Sequence, residues 1–537
     1  MLSPSRIAAV LVCLSLASCA ADDAAAPSPV ARPAKPAVSA PLADPNPSAV
    51  PAHAAVDTLS IRFDALSATD GLTVSIDAKG DADGTTVFSN ETCCGLGDVQ
   101  RLVRDVQVRS GGEAIAVEQG PKGWSVRHAP SAPLTISYRL PPSGITTIDS
   151  GMLDQVRPIV HEGMFHLIGR SALLLPKGRP QSDWVGLEVD ASRVADPRHF
   201  ASSFGPGNVL RGLVVARRQI APALYLGGNI ALQVRDTATG RIGVAYSGMD
   251  EAVDTRDLSE DAYAIVEAER GFFKDDQPWY LVSVHGGRRL NPKIDIGGGT
   301  GLTQAFAMFV RSDLDASDMR QREPFRWVLA HEYFHQWNGL TLRVAPKPGS
   351  VDKDDVGVYW FSEGVTEFYT MRLLTRAGLQ SPQRSLAVLN NKLARYGANG
   401  KRGLGAKQAA AVFWSDSDGE QIPYLRGYLA AWYVDLALER ATAGRQGLDE
   451  RLGELVARAK AEPDFRVDNA FLLGYLTAGL PADVGGALRK FVVQGGESVV
   501  AADSFAPCLV GRREQVSGRQ TLQFQFASGQ DEGCFRH

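Results

Sequence analysis

Runs of alternating hydrophobic and polar residues recur along the chain from about residue 58 to residue 200, and turn-forming residues separate them. The clearest runs are residues 58–63, 72–76, 103–108, 124–127 and 134–140. A two-residue period places every second side chain on one face of a β-strand. Short, regularly spaced strands of this kind are typical of a β-sandwich, so we predict a sandwich domain over residues 58–204.

The pattern changes after residue 204, where strands mix with a helix. Apolar residues recur with a helical period over residues 258–273, whereas residues 279–284 and 304–310 have the pattern of strands. The glycine-rich residues 297–301 are predicted to form the turn between these strands. No helix with a lysine follows them, so a phosphate-binding loop is not indicated. We assign residues 205–380 to a second domain of mixed α and β structure.

Helical periodicity dominates the chain from about residue 382 to residue 495, and residues 424–441 are one of its segments. This pattern predicts an all-helical lobe, which we place at residues 381–500. Residues 501–537 return to a strand-like pattern, clearest at 520–526. The whole chain is therefore expected to be a multidomain α+β protein.

The N-terminus has the features of an export signal. Arg6 precedes a mostly apolar stretch, residues 7–18, that is too short to span a bilayer. This stretch ends in Leu16-Ala17-Ser18-Cys19, which resembles the lipobox of bacterial lipoproteins. We predict that residues 1–19 are a lipoprotein signal, that a lipid on Cys19 anchors the protein to a membrane, and that it is located in the periplasm or at the outer membrane. Cleavage that releases a free protein is the alternative.

Composition narrows the further possibilities. Residues 20–57 are almost entirely Ala, Pro, Ser, Asp and Val, and they are expected to form a disordered tether. A net charge of −4 over 537 residues does not favour nucleic acid as a partner.

The predicted location in the periplasm or at the outer membrane is oxidising, so disulfide bonds are able to form between the cysteines. Cys508 and Cys534 flank a predicted strand pair, so we expect them to be bonded to each other. The adjacent Cys93 and Cys94 bridge each other with difficulty, and their pairing stays open. No Cys-x-x-Cys spacing supports a zinc site made of cysteines.

The main chemical motif is His331-Glu332-Tyr333-Phe334-His335, an HExxH pattern. Residues four apart in a helix lie one turn above each other, so His331 and His335 are able to bind one metal ion. Glu332 then lies beside the attacking water as a general base. The surrounding residues 326–339 are apolar enough for a buried helix. A core helix that carries two histidines by chance is the alternative.

A catalytic zinc ion needs a third protein ligand. The metzincin pattern fails because Asn338 and Thr341 stand where it requires a glycine and a third histidine. The remaining candidates are the downstream carboxylates Asp352, Asp354, Asp355, Glu363 and Glu367. The aspartates lie in a charged loop that is typical of a solvated surface, whereas Glu363 lies in an apolar helix, where a carboxylate needs a partner. We therefore prefer Glu363. Glu367, one turn later, either orients a histidine or faces solvent.

A second pair of histidines, His161 and His166, is five residues apart. That spacing places the two side chains on different faces of either a helix or a strand. We therefore interpret both histidines as structural.

The wider context of the motif carries a family resemblance. H-E-Y-F-H-Q-W-N-G, followed by Y-W-F-S-E-G-V-T-E-F-Y and then by R-A-G-L, resembles the glycyl aminopeptidase family of gluzincins over about residues 320–440. The resemblance implies a thermolysin-like α/β catalytic domain at residues 205–380. It also implies one Zn²⁺ bound by His331, His335 and Glu363, with Glu332 as the general base. The ligand spacing of the broader aminopeptidase group would instead fall on Asp354.

The resemblance extends to an element that stabilises the oxyanion. Residues 422–427 resemble the P-Y-x-K-G element of these enzymes. This implies that the Tyr424 hydroxyl donates a hydrogen bond to the negative oxygen that forms during hydrolysis.

The resemblance also identifies a substrate-binding strand. Residues 299–304 correspond to a G-G-L-E-H-like strand, which implies substrate contacts at Gly301, Leu302, Thr303 and Gln304. Thr303 stands where the family's glutamate grips the free amine of the substrate, and a neutral hydroxyl does not replace a carboxylate as a counter-ion.

These features predict a zinc metallopeptidase whose substrate is a peptide. The expected activity is that of an aminopeptidase acting on small peptides with small N-terminal residues. Thr303 motivates the alternative of an endopeptidase or a hydrolase of blocked peptides. A surface lipoprotein that binds a partner without catalysis is the alternative from another class. Residues 501–537 are too few for the C-terminal PDZ domain of many relatives.

Overall fold

A computed structural model describes residues 55–91, 99–143, 156–161, 163–288, 296–345, 356–462, 464–516, 518–528 and 535. Sheets dominate the first half of this range and helices the second, so the expectation of a multidomain α+β protein is confirmed. Residues 1–54, with the predicted lipid site Cys19, lie outside the described range. The same is true of Cys93, Cys94, Cys534, Asp352, Asp354 and Asp355.

The strands are numbered in chain order. The first fourteen are β1 Asp57–Ser67, β2 Gly71–Lys79, β3 Thr85–Ser89, β4 Arg104–Ser110, β5 Glu113–Ile115, β6 Val117–Gly120, β7 Gly123–Arg127, β8 Pro133–Leu140, β9 Ile159–His161, β10 Met164–Ile168, β11 Leu175–Pro176, β12 Trp184–Asp190, β13 Phe200–Ser202 and β14 Gly205–Pro206. The others are β15 Val209–Ala216, β16 Leu224–Gly228, β17 Ala231–Thr237, β18 Gly240–Ser247, β19 Trp279–Gly287, β20 Ile296–Leu302, β21 Ala305–Arg311, β22 Arg343–Val344, β23 Arg466–Val467, β24 Leu509–Val516 and β25 Arg519–Phe526.

The helices are numbered in the same way. They are α1 Gly169–Ala172, α2 Arg256–Phe273, α3 Met319–Phe334, α4 Thr366–Arg376, α5 Pro382–Ala398, α6 Ala406–Val412, α7 Ser417–Thr442, α8 Leu448–Ala461, α9 Asn469–Leu476 and α10 Ala482–Arg489. Wider π-helical turns occur at Gln336–Thr341, Trp360–Val365 and Lys490–Gln494. Among the helices of the described ranges, none is both long enough and apolar enough to cross a membrane.

Strands from the N-terminal part form three sheets around one core. Their strand orders are β15-β12-β1-β2-β8-β4-β5, β14-β13-β16-β10-β9 and β11-β3-β7-β6. Ile61, Phe165 and Phe88, one from each sheet, belong to the same buried cluster. Leu59, Ile61 and Phe63 are the buried alternate residues of β1, which is the two-residue period that the sequence displays.

These N-terminal sheets extend past residue 204, where the sequence pattern predicts their end. β15 pairs with β12, and β16 pairs with both β10 and β13. The partners of a strand are distant in the chain, so local periodicity does not reveal which side of a boundary a strand belongs to. We propose that the boundary lies between Gly228 and Ala231.

A second five-stranded sheet, called the central sheet, has the order β17-β18-β19-β21-β20. β18, β19 and β21 are parallel, and the edge strands β17 and β20 are antiparallel to their neighbours. Alternate residues such as Val282 and Met308 pack against helices α2 and α3. The opposite face, with Leu281 and Ala307, packs against Leu224 of β16. The central sheet is therefore covered by helices on one face and by an N-terminal sheet on the other.

The glycine-rich residues 297–301 belong to strand β20, so the prediction of a turn there is wrong. The connection from β20 to β21 is made instead by Thr303 and Gln304, and Gln304 has a φ of 45°. A Cβ on Gly299 would lie 2.2 Å from the ring of Phe306. The absence of a side chain there lets the phenyl ring close over the strand.

Helix α7 is the axis of the C-terminal half. Its 26 residues contact helices α4, α5, α6, α8 and α10. The hairpin β24–β25 packs on α5, where the Asn390 side chain accepts a 2.8 Å hydrogen bond from the Phe524 amide. Cys508 precedes this hairpin and is disulfide-bonded.

Two buried histidines lie between the N-terminal sheets and the central sheet. His166 of β10 is 3.1 Å from the Ser283 hydroxyl of β19, and His285 of β19 is 2.9 Å from the Ser247 hydroxyl of β18. Their rings are 5.9 Å apart. Burial lowers the pKa of His166 to about 4, and burial together with the neighbouring His166 and His161 lowers the pKa of His285 to about 3.

These shifts predict an acid-sensitive contact between the sheets. As the pH falls from about 6.5 to about 4, the unfolded chain binds protons at His166 while the folded chain does not, so the free energy of unfolding decreases over that window. The full stability is present above about pH 6.5, and the loss from His166 is up to about 3 kcal/mol. Urea unfolding of the wild type and of a His166→Gln variant at several pH values measures it, and the variant is expected to have the shallower dependence.

His199→Gln is the control for this prediction, because the His199 side chain is about half exposed (48%) on the surface. This variant is expected to keep the pH dependence of the wild type. Identical pH dependence in the wild type and His166→Gln would contradict the assignment of the acid sensitivity to the buried histidine.

Candidate active site

The HExxH residues lie at the C-terminal end of helix α3, in the middle of the protein core. The Asp318 side chain caps the helix by accepting a hydrogen bond of 3.0 Å from the Arg320 amide. Phe325 and Leu329 are fully buried, and they pack in the cluster that joins the central sheet to the helices. The apolar stripe of the sequence thus fixes the rotation of α3, and this rotation points His331 and His335 to one side.

A second helical segment faces the end of α3. It begins with the π-helical turn Trp360–Val365 and continues as α4. Glu363 lies in the turn and is completely buried. Such wide turns are frequent at functional sites.

Three side-chain atoms from these segments converge on one point. The Nε2 atoms of His331 and His335 are 3.2 Å apart, and they are 3.3 and 3.4 Å from Oε2 of Glu363. This is the group of His, Cys, Asp and Glu side chains in the described residues that is arranged to hold a metal ion. It consists of the two histidines of the HExxH motif and the downstream carboxylate Glu363.

The distances fit a zinc ion. Bonds of about 2.0–2.1 Å in tetrahedral geometry place neighbouring ligand atoms roughly 3.3 Å apart. Two imidazole nitrogens and one carboxylate oxygen are a ligand set that zinc accepts, with a fourth position open. Two imidazole nitrogens and a carboxylate oxygen this close together need a proton or a metal ion between them, so the arrangement suits a cation.

The electrostatic field of the site favours a cation. Burial by itself raises the pKa of Glu363, but His335 and His331 outweigh it and hold the pKa lowered to about 2. Burial by itself lowers the pKa of His335, but the Glu363 carboxylate outweighs it and raises the pKa to about 9. Glu363 therefore remains ionised, and its charge stabilises a positive charge at the point where the three atoms meet.

Asn338 connects the two segments. Its carbonyl oxygen is 3.0 Å from Nδ1 of His335, which leaves the lone pair of that ring on Nε2, towards the other two atoms. Its side-chain amide donates to the Phe361 carbonyl and to the Thr366 hydroxyl, both at 3.1 Å. One buried side chain thus ties the turn after α3 to the turn that carries Glu363.

Glu367 lies behind His331 and is almost completely buried. Its Oε1 is 3.6 Å from Nδ1 of His331, and its Oε2 accepts a hydrogen bond of 2.6 Å from Nζ of Lys392 on α5. Burial alone raises the pKa of Glu367, but Lys392 and His331 outweigh it and hold the pKa lowered. Glu367 is therefore buried behind the His331 ring and does not face solvent.

Glu332 and Tyr424 complete the surroundings of the three atoms. Burial raises the pKa of Glu332 to about 7, which is near the value that suits a general base at neutral pH. The Tyr424 ring, on α7, lies 6.2 Å from the ring of His331. Burial and the carboxylates of Glu363 and Glu332 raise the pKa of Tyr424 well above 10, so its hydroxyl keeps its proton and is able to donate it in a hydrogen bond.

Two glycines let α7 approach the Glu363 turn. A Cβ on Gly427 would lie 1.7 Å from the Trp360 carbonyl oxygen, and a Cβ on Gly364 would lie 2.3 Å from the Cα of Gly427. Gly364 follows Glu363 directly, and Gly427 lies one turn after Tyr424. The close contact of the two backbones therefore sets the distance between the oxyanion candidate and the third ligand candidate.

The four residues with implied substrate contacts have different environments. Leu302 is buried between the central sheet and an N-terminal sheet. The Thr303 hydroxyl donates to the Gln219 carbonyl at 2.9 Å, and the Gln304 carbonyl accepts from the Leu281 amide at 3.0 Å. Gly301 is exposed, and a Cβ there would meet open space. Three of the four residues therefore have contacts within the fold, and substrate contact at all four stays a prediction.

Sequence reasoning missed the supporting residues. From the sequence, Asn338 only excludes the metzincin pattern. Its amide side chain lies in an apolar segment directly after the motif, where it needs hydrogen-bond partners, and this signal identifies it as a supporting residue. Lys392 and the pair Gly364–Gly427 give no local signal, because their partners are distant in the chain.

Comparison with known proteins agrees with this site. Residues 324–422 match the family described as M61 glycyl aminopeptidase, which confirms the resemblance over that segment and the interpretation of the chain as a metallopeptidase. This segment contains the three converging side chains and Glu332. A comparison with curated protein sequences gives no significant match.

Solved structures resemble the chain in fold. An aminopeptidase N family protein from Idiomarina loihiensis has a TM-score of 0.67 at 17% identity, and the similarity covers 85% of this chain and 79% of that one. An M1 zinc metallopeptidase from Deinococcus radiodurans has a TM-score of 0.46 at 16% identity, with 82% of this chain and 94% of that one covered. The first likeness, at 17% identity, indicates a shared fold and nothing more.

Replacing Gly427 by alanine is expected to lower kcat/KM about 100-fold, since a displacement of about 1 Å in catalytic geometry has an effect of that size. The added methyl group collides with the Trp360 carbonyl and separates Tyr424 from the Glu363 turn. Peptide hydrolysis and thermal unfolding are measured together. Full activity would contradict the positioning role of this backbone contact.

Gly453→Ala is the matched control. Gly453 lies inside α8, and a Cβ there has no atom within 4 Å. Because alanine favours a helix more than glycine does, this variant is expected to be more stable by about 0.5–1 kcal/mol and fully active.

Proposed function

We propose that this chain, whose residues 324–422 match the family described as M61 glycyl aminopeptidase, is a zinc-dependent peptidase that removes small N-terminal residues from short peptides. The observation that carries the proposal is the convergence of His331, His335 and Glu363 within 3.4 Å of one another. The buried Glu332 beside this group supplies the base. The family match supports the reaction class, and the preference for the substrate's N-terminus comes from the resemblance of the motifs.

Zinc held by these three side chains would act as a Lewis acid towards the peptide carbonyl and would make a water molecule easier to deprotonate. Glu332 takes the proton of the attacking water, which its raised pKa near neutrality allows. It then delivers the proton to the nitrogen of the leaving amine. His331 and His335 would each contribute an imidazole nitrogen, and Glu363 would contribute a negative oxygen that offsets part of the positive charge.

Tyr424 acts on the carbonyl oxygen of the substrate. A phenol that keeps its proton at all physiological pH values is a hydrogen-bond donor to the negative oxygen of the tetrahedral state. Because this charge develops only in the transition state, the hydrogen bond accelerates the chemical step rather than the binding of substrate.

Replacing Glu332 by glutamine is expected to abolish peptide hydrolysis and to leave the metal bound, because Glu332 is not one of the three converging side chains. Kinetics of peptide cleavage and metal content by elemental analysis are measured on the same preparation. The zinc content should be one per chain in the wild type and in the variant. Hydrolysis that survives the change would contradict the mechanism. A wild type that binds zinc and cleaves no peptide would instead favour a binding protein without catalysis.

Glu323→Gln is the control on the same helix. Glu323 is partly exposed and pairs with Arg384 at 3.0 Å near the surface, so its neutral replacement removes a charge without reaching the site. This variant is expected to keep both zinc and activity.

An endopeptidase or a hydrolase of blocked peptides is the second candidate. The observation that favours it is the edge strand: Thr303 uses its hydroxyl on the Gln219 carbonyl, and the exposed Gly301 has no side chain. Neither residue offers a carboxylate to an N-terminal ammonium group.

The two candidates predict different ratios of turnover for matched peptides with a free and an acetylated N-terminus. The aminopeptidase is expected to cleave the free peptide at least 10-fold faster, since a charged hydrogen bond contributes about 1.5–3 kcal/mol. Equal kcat/KM values for the two peptides would favour the second candidate.

We also propose that the chain is exported as a lipoprotein held to a membrane by Cys19. The Leu16-Ala17-Ser18-Cys19 sequence supports this location in the periplasm or at the outer membrane. A Cys19→Ser variant that stays in the membrane fraction would argue against it.

A further inference from the structure

Glu420 is a half-buried carboxylate without a partner in the described part of the chain. It lies in the first turns of α7, where its backbone amide bonds to the Asp416 carbonyl at 2.9 Å. The capping of this helix is done by the Asp416 side chain, which accepts from the Gly419 amide. Glu420 is therefore not needed to cap the helix.

The cations that contact Asp416 and Gln421, on either side of Glu420 in the chain, are engaged by those residues. Lys401 pairs with Asp416 at 3.6 Å, and Arg395 donates to the Gln421 side chain at 3.0 Å. Burial raises the pKa of Glu420, which is the shift expected of a carboxylate that has lost water and has not gained a cation. A carboxylate in this condition is costly to the fold and is available to a ligand.

Glu420 is on the same side of α7 as Tyr424. Residues four apart on a helix are neighbours, with Cβ atoms about 5–6 Å apart. The Tyr424 ring lies 6.2 Å from that of His331. Glu420 is thus one helical turn from the group that faces the scissile carbonyl.

The substrate of an aminopeptidase brings a positive charge to this place. Its ammonium group is separated from the scissile carbonyl by a single carbon, so it enters the site together with the carbonyl. An ammonium group in a site shielded from water needs an anionic partner. Glu363 and Glu367 are engaged by the histidines and by Lys392, and strand β20 offers no carboxylate at Gly301 or Thr303.

We propose that the Glu420 carboxylate binds the free amino group of the peptide substrate, in place of the acid that the edge strand lacks. The inference rests on the proposed peptidase function and assigns its preference for a free N-terminus to helix α7. Glu420 is then a specificity-determining residue: it contacts the substrate and takes no part in the proton transfers.

The test compares Glu420→Gln with the wild type on three peptides of one sequence family: one with a free N-terminus, its N-acetylated form, and an acetylated form with arginine before the scissile bond. Glutamine keeps the size of the side chain and removes its charge. The kcat/KM for the free peptide is expected to fall roughly 10- to 100-fold, while the acetylated peptides are unaffected. Glu420→Asp should retain part of the preference for the free peptide.

Glu188→Gln is the matched control, because Glu188 is exposed on strand β12 of the N-terminal sheets. It is expected to leave all three kcat/KM values unchanged. An equal loss on the free and acetylated peptides in Glu420→Gln would overturn the proposal, because a general disturbance of α7 acts on both. A loss confined to the arginine peptide would also overturn it, because Glu420 would then bind the arginine side chain of the substrate and not its free amino group.

The outcome is distinguishable from a failure of the peptidase function itself. If the wild type cleaves none of the peptides with zinc bound, the proposed function fails before Glu420 is tested. If the wild type cleaves the free peptide faster and Glu420→Gln keeps that preference, the peptidase function stands and the role of Glu420 is refuted.

Discussion

The structure depends on three electron-rich atoms held within 3.4 Å of one another in a buried site. Two imidazole nitrogens and a carboxylate oxygen this close together need a positive charge beside them, and the surrounding backbone has to hold the three side chains in place. Asn338 does this from one side through its bonds to the Phe361 carbonyl and the Thr366 hydroxyl. The contact of Gly364 with Gly427 does it from the other. The two helical segments are therefore fixed relative to each other before any ligand binds.

Ion pairs between buried or partly buried side chains surround the three converging atoms. Glu367 lies between His331 and Lys392, and further along the same helix Arg372 binds Asp435 of α7 and Asp449 of α8. Each of these carboxylates contacts a cationic side chain or a histidine of the HExxH motif. Glu332 is different, because burial dominates and raises its pKa to about 7. The carboxylate suited to exchange protons near neutral pH is thus separate from Glu363 and Glu367.

The N-terminal sheets support the site indirectly. They cover one face of the central sheet, and carbonyls at Gln219 and Pro222 bind Thr303 at the end of strand β20, which lies beside α3. Packing of this kind tolerates changes in sequence if volume and pattern are kept. This explains why the family match is confined to residues 324–422, whereas the likeness in fold covers 85% of the chain.

The sequence alone determined what depends on residues a few positions apart. A spacing of four placed His331 and His335 on one face of a helix, alternation predicted the strands, and the cost of burying a charge singled out Glu363. Only the tertiary structure decided that residues 297–301 form a strand, that the N-terminal sheets continue to Gly228, and that Lys392 supports Glu367. The periodicity of one helix or strand depends only on residues that are neighbours in the chain. The partners of a strand, a buried charge or a close backbone contact are distant in the chain, and packing selects them.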